Sequence, residues 1–305
     1  MILSLTVLPG DQGKTVKFIL KSRLNLSERL VKKLKYSGQI LLNSSPVHVN
    51  VPVHEGDLLE VHMEWDELNE AVVPEPMELD IIYEDESLIV INKPSDTVVH
   101  PTARHFTGTV ANGLMYYLLQ KGIKTLVRPV SRLDRDTSGI IVFALNPFVQ
   151  ESLIRQMHSN TYLKEYIGIV HGSFTSSSGT IDLPIERLPG SIMLRHISED
   201  GAPSVTHFEV LEQYDEASLL KFVLETGRTH QIRVHCQAIG HPLIGDTLYP
   251  LHEFEGIYDG LMSRQALHSV HTAFNHPVTG ERLDFTANIP SDMDKALEIL
   301  RNKQL

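Results

Sequence analysis

Residues 132–139, RLDRDTSG, stand directly before the apolar run IIVFAL. Two carboxylates, Asp134 and Asp136, and two guanidinium groups, Arg132 and Arg135, are thereby set at the mouth of what reads as a buried strand. A carboxylate in such a place needs a cation, because an unpaired buried charge costs several kcal/mol. The alternative is that Asp134 closes a turn, or pairs with Arg132 or Arg135 on the surface. The strand is apolar on both faces, which argues for a turn at a sheet edge lining a cleft. The best candidate for the missing cation is remote in sequence. LETGRTHQIRVHCQAIGH, residues 224–241, reads as a strand end, a Thr-Gly-Arg turn and a helix beginning near Thr229. Ile232, Cys236 and Ile239 face inward on it, and Gly240 ends it. Arg233 lies in its first turns beside the buried face. Arg228, His230, Gln231, Arg233 and His235 together exceed what a solvated helix start needs.

Other chemistries fit less well. Asp134, Asp136, Ser138 and Gly139 copy the opening of a calcium loop, but the twelfth position, which needs a bidentate acid, is Leu145 in an apolar strand. His230 and His235 would project well over a hundred degrees apart on a helix, and neither a second cysteine nor a nearby acid completes a zinc set with His241. The glycines form no phosphate-cradling loop or dinucleotide fingerprint, and no GxSxG elbow is present. Neither metal nor cofactor is expected. Hydrolysis of a glycosidic bond by paired acids would need a second carboxylate at a set distance from Asp134, and Asp136 points elsewhere if the segment is extended.

The elements that must hold these groups can be read in outline. With 305 residues, 42% of them hydrophobic, the chain can bury a sizeable core in one large or two unequal domains. It has no apolar run of membrane-spanning length, no leader pattern at its start and a single cysteine, so a cytoplasmic protein with no membrane partner is expected. A formal net charge of -11 argues against a general nucleic-acid binder unless the basic residues gather on one face. They do so near the N-terminus. Ser27 suits an N-cap, Leu26 and Val31 a hydrophobic staple, and Gly38 a C-terminus, which predicts a helix over residues 28–37. Leu30, Val31 and Leu34 share one side of it, leaving Arg29, Lys32, Lys33 and Lys35 largely on the other. A second short helix precedes it, and QILLN, VHV and LLEVHM read as short strands divided by turns at residues 43–46 and 55–57. Two helices, a basic surface and a Gly-hydrophobic-Leu-Leu-Asn strand resemble the small RNA-binding domain named after ribosomal small-subunit protein four.

The acidic, proline-closed stretch 64–76 reads as a linker. Beyond it LIVINKP, GIIVFAL, YLKEYIGIV, THFEVLEQ and SLLKFVLE read as strands, TVANGLMYYLLQKG and PFVQESLIRQMHS as helices, and TSSSGT at residues 175–180 as a loop. The expected fold is α+β: a mixed, mostly antiparallel sheet domain over residues 77–305, a linker over 66–76 and a small N-terminal α+β domain over 1–65.

From Met77 to Pro290 the pieces INKPSDTVVHP, SRLDRDTSGIIVFAL, YLKEYIGIVHG, LETGRTHQIRVHCQAIGHPLIGDTLY, RQALHS and FNHPVTGERLDF resemble, in order, a pseudouridine synthase of the ribosomal large-subunit (RluA) family. That family isomerises uridine in RNA, breaking the bond from ribose to the base nitrogen and remaking it to a base carbon, without cofactor or metal. The resemblance implies Asp134 as the catalytic carboxylate, Arg233 as its partner and Tyr166 as the aromatic that stacks on the target base. Arg132, Lys164, Arg228, His230 and Gln231 near the cleft, with Arg29, Lys32 and Lys33 on the basic helix, are the expected RNA contacts. The chain departs from the family pattern at Ser131, where His is usual, and at Ser95 and Asp96, where a Gly is usual after the KP pair. The implied partner is RNA, ribosomal first and transfer RNA second, and the implied state is a monomer. A noncatalytic RNA-binding assembly factor is the rival from another class.

Overall fold

The computed structural model describes residues 1–36, 39–63, 72–103 and 105–303. Its N-terminal part runs β1 (Ile2–Thr6), α1 (Val16–Ser22), α2 (Glu28–Lys35), β2 (Ile40–Leu42), β3 (Ser45–Pro46) and β4 (Leu58–His62). The sheet order is β1-β4-β2-β3, every pair antiparallel. Thr15 and Ser27 cap the two helices, accepting from the Phe18 and Leu30 amides at 3.3 and 3.1 Å. Leu26, Leu30, Val31 and Leu34 are buried, as the amphipathic spacing requires. The expected helix end at Ser37 and Gly38 lies outside the described residues, as does most of the linker.

Three local expectations need correction here. β1 was not foreseen, because its pairing partner lies over fifty residues away. The expected strand at residues 47–49 does not form. The turn expected over residues 43–46 is tighter, because Asn43 and Ser44 carry the two positive φ angles, 50° and 64°, of a two-residue hairpin turn, and β3 follows at once.

The rest of the chain continues with β5 (Asp80–Glu84), β6 (Leu88–Lys93), α3 (Val110–Gln120), β7 (Arg128–Pro129), β8 (Ser138–Ala144), α4 (Pro147–His158), β9 (Leu163–His171) and β10 (Ser178–Asp182). Then come β11 (Ile185–Arg187), β12 (Arg195–Ile197), β13 (Val205–Gln213), β14 (Ala217–Leu224), α5 (Gln231–Ala238), β15 (Leu267–Asn275), β16 (Arg282–Thr286) and α6 (Ser291–Lys303). One large sheet has the order β10-β13-β14-β9-β15-β8-β6-β5, with β16 on β15 and β7 on β8. All its pairs are antiparallel except β8 with β15, so the α+β, mostly antiparallel expectation holds. Half of the segment read as a loop at residues 175–180 is the start of β10, which pairs with β13. β11 and β12 form a separate hairpin.

The strands that read as apolar on both faces are covered on both. Leu88 and Val90 of β6 join Ile140 and Val142 of β8 and the buried Phe148, Val149 and Leu153 of α4. The alternate residues Ile89, Ile91, Ile141 and Phe143 pack with Val110, Leu114 and Leu118 of α3. α6 lays Met293, Ala296, Leu297 and Leu300 against Ile167 and Ile169 of β9. Burial of this kind, at about 25 cal/mol per Å² of apolar surface, stabilises the sheet that holds the site. No described helix is long and apolar enough to cross a membrane.

The parallel seam explains one glycine of the opening motif. Gly139 of β8 lies opposite Ser269 of β15 at φ 110°, and a Cβ there would stand 2.2 Å from the Ser269 carbonyl oxygen. Only glycine permits both the conformation and that approach.

Candidate active site

Asp134 sits in the turn that feeds β8, its carbonyl accepting from the Thr137 amide at 3.2 Å. Two buried cations grip this turn by its backbone. Lys93, at the end of β6, donates its ammonium to the carbonyls of Pro94, Thr97 and Arg135 at 2.8, 2.8 and 2.9 Å. Arg264 donates to the Asp136 carbonyl at 2.9 Å and makes a two-bond fork to Asp292. Burial pulls the Lys93 ammonium down to about 7, against the attraction of Asp136 and Asp134.

The remote cation expected for Asp134 is present. Arg233, the third residue of α5, donates Nη1 to Asp134 Oδ2 at 3.2 Å. It is buried, not merely beside the buried face, and Asp134 is only its lesser partner. Nε and Nη2 go to Asp246 at 2.7 and 2.8 Å. Burial disfavours the guanidinium charge, yet the bonds to Asp246 and the charge of Asp134 outweigh it, and Arg233 is held more firmly protonated than usual. Asp246 follows Gly245, which holds φ 77° and where a Cβ would stand 2.2 Å from the Arg264 carbonyl oxygen, so only glycine fits there.

Tyr166 of β9 completes the group. Its register partner on β15 is Ser269, the same residue that faces Gly139 of β8, so one residue of β15 ties the Asp134 side of the cleft to the Tyr166 side. Burial, and then the charge of Asp134, push the Tyr166 phenol up and keep it neutral. Asp134, Tyr166 and Arg233 line a single cleft, which also touches Arg132, Arg228, His230 and Gln231. Among the described residues Asp134 is the one carboxylate in its lining, so the paired-acid alternative has no second acid there. The arrangement sets a carboxylate and an aromatic ring along one cleft, the equipment for covalent or base chemistry on a planar substrate.

The peripheral residues separate into three kinds. Arg132 and Arg228 are exposed at the cleft, with cationic heads open to a ligand. Lys164 lies on the same face of β9 as Tyr166, partly buried beneath Gly227, and burial lowers its ammonium from the ordinary lysine value. Gln231 corrects the expectation of an RNA contact. Its amide donates to the Val205 carbonyl and Thr206 Oγ1 and accepts from Thr226 Oγ1 and the Arg228 amide, so all four positions are filled by protein. It fixes the turn before α5, which begins at Gln231 rather than near Thr229. His230, also expected at the RNA, instead accompanies Asp134: its Nε2 is 3.8 Å from Asp134 Oδ1 and its Nδ1 2.7 Å from the Tyr249 hydroxyl. His235 and His241 of the rejected zinc reading bond to Thr206 and the Leu183 carbonyl, and to the His171 carbonyl.

On α2, Arg29, Lys32 and Lys33 are exposed. Lys32 and Lys35 border a hollow with Lys17 and Tyr36, whose ring is 84% exposed, while Glu28 is neutralised by Lys17 and Lys21. The departure at Asp96 also has a physical account. Asp96 adopts φ 57°, the left-handed conformation that glycine takes freely and aspartate tolerates, and its carboxylate pairs with Arg135 beside Asp134. The structure offers no account of Ser131.

Lys93, Asp246, Tyr249 and Arg264 were missed as site residues. Lys93 carried a signal, a lysine ending an otherwise apolar strand. The other three lie in loops whose approach to the cleft no local pattern announces.

Comparison with known proteins agrees with this geometry. The family model for RNA pseudouridylate synthase matches residues 87–238. The uncharacterized RNA pseudouridine synthase YlyB of Bacillus subtilis (strain 168) is 40% identical over 291 residues, 93% of each chain. Ribosomal large subunit pseudouridine synthase D of Neisseria meningitidis serogroup B is 39% identical over 271 residues, 87% of this chain and 72% of that one. Among solved structures, human RNA pseudouridylate synthase domain containing 1 is 26% identical with a TM-score of 0.56, covering 74% of this chain and 97% of its own. A cleft built by an aspartate, an arginine and a tyrosine from three distant segments thus lies in a chain that belongs to the RNA pseudouridine synthase family.

Proposed function

We propose that this enzyme isomerises uridine to pseudouridine in large-subunit ribosomal RNA, with Asp134 as the reacting carboxylate. The observation that carries the reading is the meeting of Asp134, Arg233 and Tyr166 in one cleft. A carboxylate acting as nucleophile or base must be held in place, and Arg233 Nη1 donates a hydrogen bond to Asp134 Oδ2. Tyr166 offers a neutral ring for a base turned out of its helix. Extruding the base costs a few kcal/mol, and stacking on an aromatic returns roughly 1–3 kcal/mol. Arg132, Arg228 and Lys164 supply phosphate contacts around the mouth.

Residues 1–65 act as an RNA-binding module in this reading, linked through 66–76 to a catalytic domain over 77–305. The basic face of α2 and the exposed Tyr36 support it. All three central residues come from one chain, which supports a site complete in a monomer; in this reading the enzyme acts in the cytoplasm and its residues need no metal. The ribosomal target rests on the name of the Neisseria relative.

The test is to incubate the protein with total RNA from a strain lacking the gene and to map pseudouridine by carbodiimide-dependent reverse-transcription stops, with Asp134→Asn in parallel. A stop in large-subunit ribosomal RNA made only by the intact protein is expected, with Asp134→Asn inactive but binding RNA within a few fold. A stop in transfer RNA would reassign the substrate. Tight binding without any stop would make the chain a noncatalytic RNA-binding factor.

A further inference from the structure

Asp134 has two carboxylate oxygens, and Arg233 reaches only Oδ2. Beside the other oxygen stands His230, with Nε2 3.8 Å from Oδ1. His230 holds φ 60°, a left-handed conformation rare for a residue with a Cβ, at the residue preceding α5. Strain of this kind persists where the surroundings determine it. Here the determinant is Tyr249, whose hydroxyl is 2.7 Å from His230 Nδ1 and accepts the Arg195 amide at 3.0 Å.

That second bond settles the proton positions. Tyr249 is 3% exposed, and one lone pair of its oxygen is taken by the Arg195 N–H. Among the described residues, the partner of its own proton is His230 Nδ1, and a buried hydroxyl deprived of a partner is costly. Nδ1 is therefore the unprotonated nitrogen of a neutral imidazole, and Nε2 carries the hydrogen. The Nε2–H faces Asp134 Oδ1.

We propose that His230 is a positioning residue for the catalytic carboxylate, a neutral imidazole whose tautomer Tyr249 sets so that Nε2–H steadies Asp134 Oδ1 while Arg233 holds Oδ2. The relay runs from the Arg195 amide through the Tyr249 hydroxyl and His230 to Asp134, whose Oδ1 lies 3.8 Å from Nε2, within reach of its charge though beyond a hydrogen bond. The charged and titratable groups facing His230 are Asp134, Arg233, Arg195, Asp246 and Tyr249. Burial outweighs the pull of Asp134 and lowers the imidazole from its ordinary value, which keeps it neutral at physiological pH. The inference rests on Asp134 being the reacting group.

Tyr249→Phe keeps the ring that lies over Arg233 and removes only the hydroxyl. The imidazole of that variant is free to place its hydrogen on Nδ1, which turns an Nε2 lone pair toward Asp134. At pH 8, kcat on a large-subunit RNA transcript is expected to fall about tenfold with KM within about twofold. Acid restores the donor by protonating the ring, so the deficit should shrink below pH 6. In a His230→Asn background, Tyr249→Phe should have no further effect. A deficit that does not change with pH, or an undiminished effect of Tyr249→Phe in that background, would overturn the relay. Nitrogen-15 spectra of histidine-labelled protein read the tautomer without turnover, with His230→Asn identifying the resonances. Nε2–H in the wild type and a mixture in Tyr249→Phe are expected, and Nδ1–H in the wild type would refute the assignment. A correct tautomer in a protein that makes no pseudouridine would instead fault the proposed function.

Discussion

Replacing Asp246 by Asn tests where the charge of Arg233 is balanced. The Arg233 side chain is 5% exposed, and its two short bonds, 2.7 and 2.8 Å, go to Asp246, whose side chain is 1% exposed. The bond to Asp134 is longer, 3.2 Å, and that carboxylate is 23% exposed. Removing one partner of a buried ion pair costs ~3–5 kcal/mol, because the other charge is left uncompensated. Asp134 stays within reach of Arg233 and an Asn still accepts one bond, so Asp246→Asn should cost about 3 kcal/mol, the low end. Asp134→Asn removes a longer and better hydrated contact and leaves the fork to Asp246 whole, so about 1 kcal/mol or less is expected. Both values come from urea unfolding of the two variants and the parent, followed by far-ultraviolet circular dichroism at neutral pH. If Asp134→Asn destabilises as much as Asp246→Asn, Arg233 is balanced from the cleft, and the view of Asp246 as its anchor fails.

The remaining expectations are shorter. Lys32→Ala with Lys33→Ala should weaken RNA binding and reduce the slope of log K against log salt by about one unit or less per lost phosphate contact; an unchanged slope would return α2 to an ordinary solvated face. Gly139→Ala meets both the 2.2 Å approach of the Ser269 carbonyl and a positive φ, and should destabilise by roughly 3 kcal/mol in the same unfolding assay. Asp11 is held at about 2 by hydrogen bonds from Arg23 and Lys14, below its unfolded value of about 3.9. A depressed carboxylate stabilises fully above the unfolded value and loses that contribution as pH falls through the folded one, so Asp11→Asn should flatten the acid dependence of unfolding between about pH 4 and 2.

What could be read from the sequence was what local chemistry dictates. β8 announced itself because a strand covered on both faces must be apolar on both, and Asp134 stood out because a charge beside such a strand demands a partner. Arg233 was found by that demand. The same reasoning stopped short at Asp246, since one counter-ion satisfied the argument and a second, in an irregular loop, left no periodic trace. His230 and Gln231 were assigned to RNA by their neighbourhood, but their side chains are committed by a left-handed residue and a saturated amide that composition does not reveal. β1 and β10 escaped because their pairing is long-range and their sequences are short and partly polar, and β5, β7, β11, β12, β15, β16 and α6 were not read as elements either.

The position of β15 bears on how the protein comes into being. This strand lies between β8 and β9, yet it is made about a hundred residues after them. During synthesis the antiparallel pair of β6 with β8 and the set β13-β14-β9 can form, but each leaves an open edge where β15 must later insert. Ser269 faces both Gly139 and Tyr166, so the two walls of the cleft acquire their register only when that segment has left the ribosome. Long-range pairings of this sort are slow and leave unpaired edges exposed while they wait. The nascent chain therefore carries Asp134 and Tyr166 on separate, unjoined pieces of sheet until the segment of β15 is made, and the cleft between them is set by the closing of a seam.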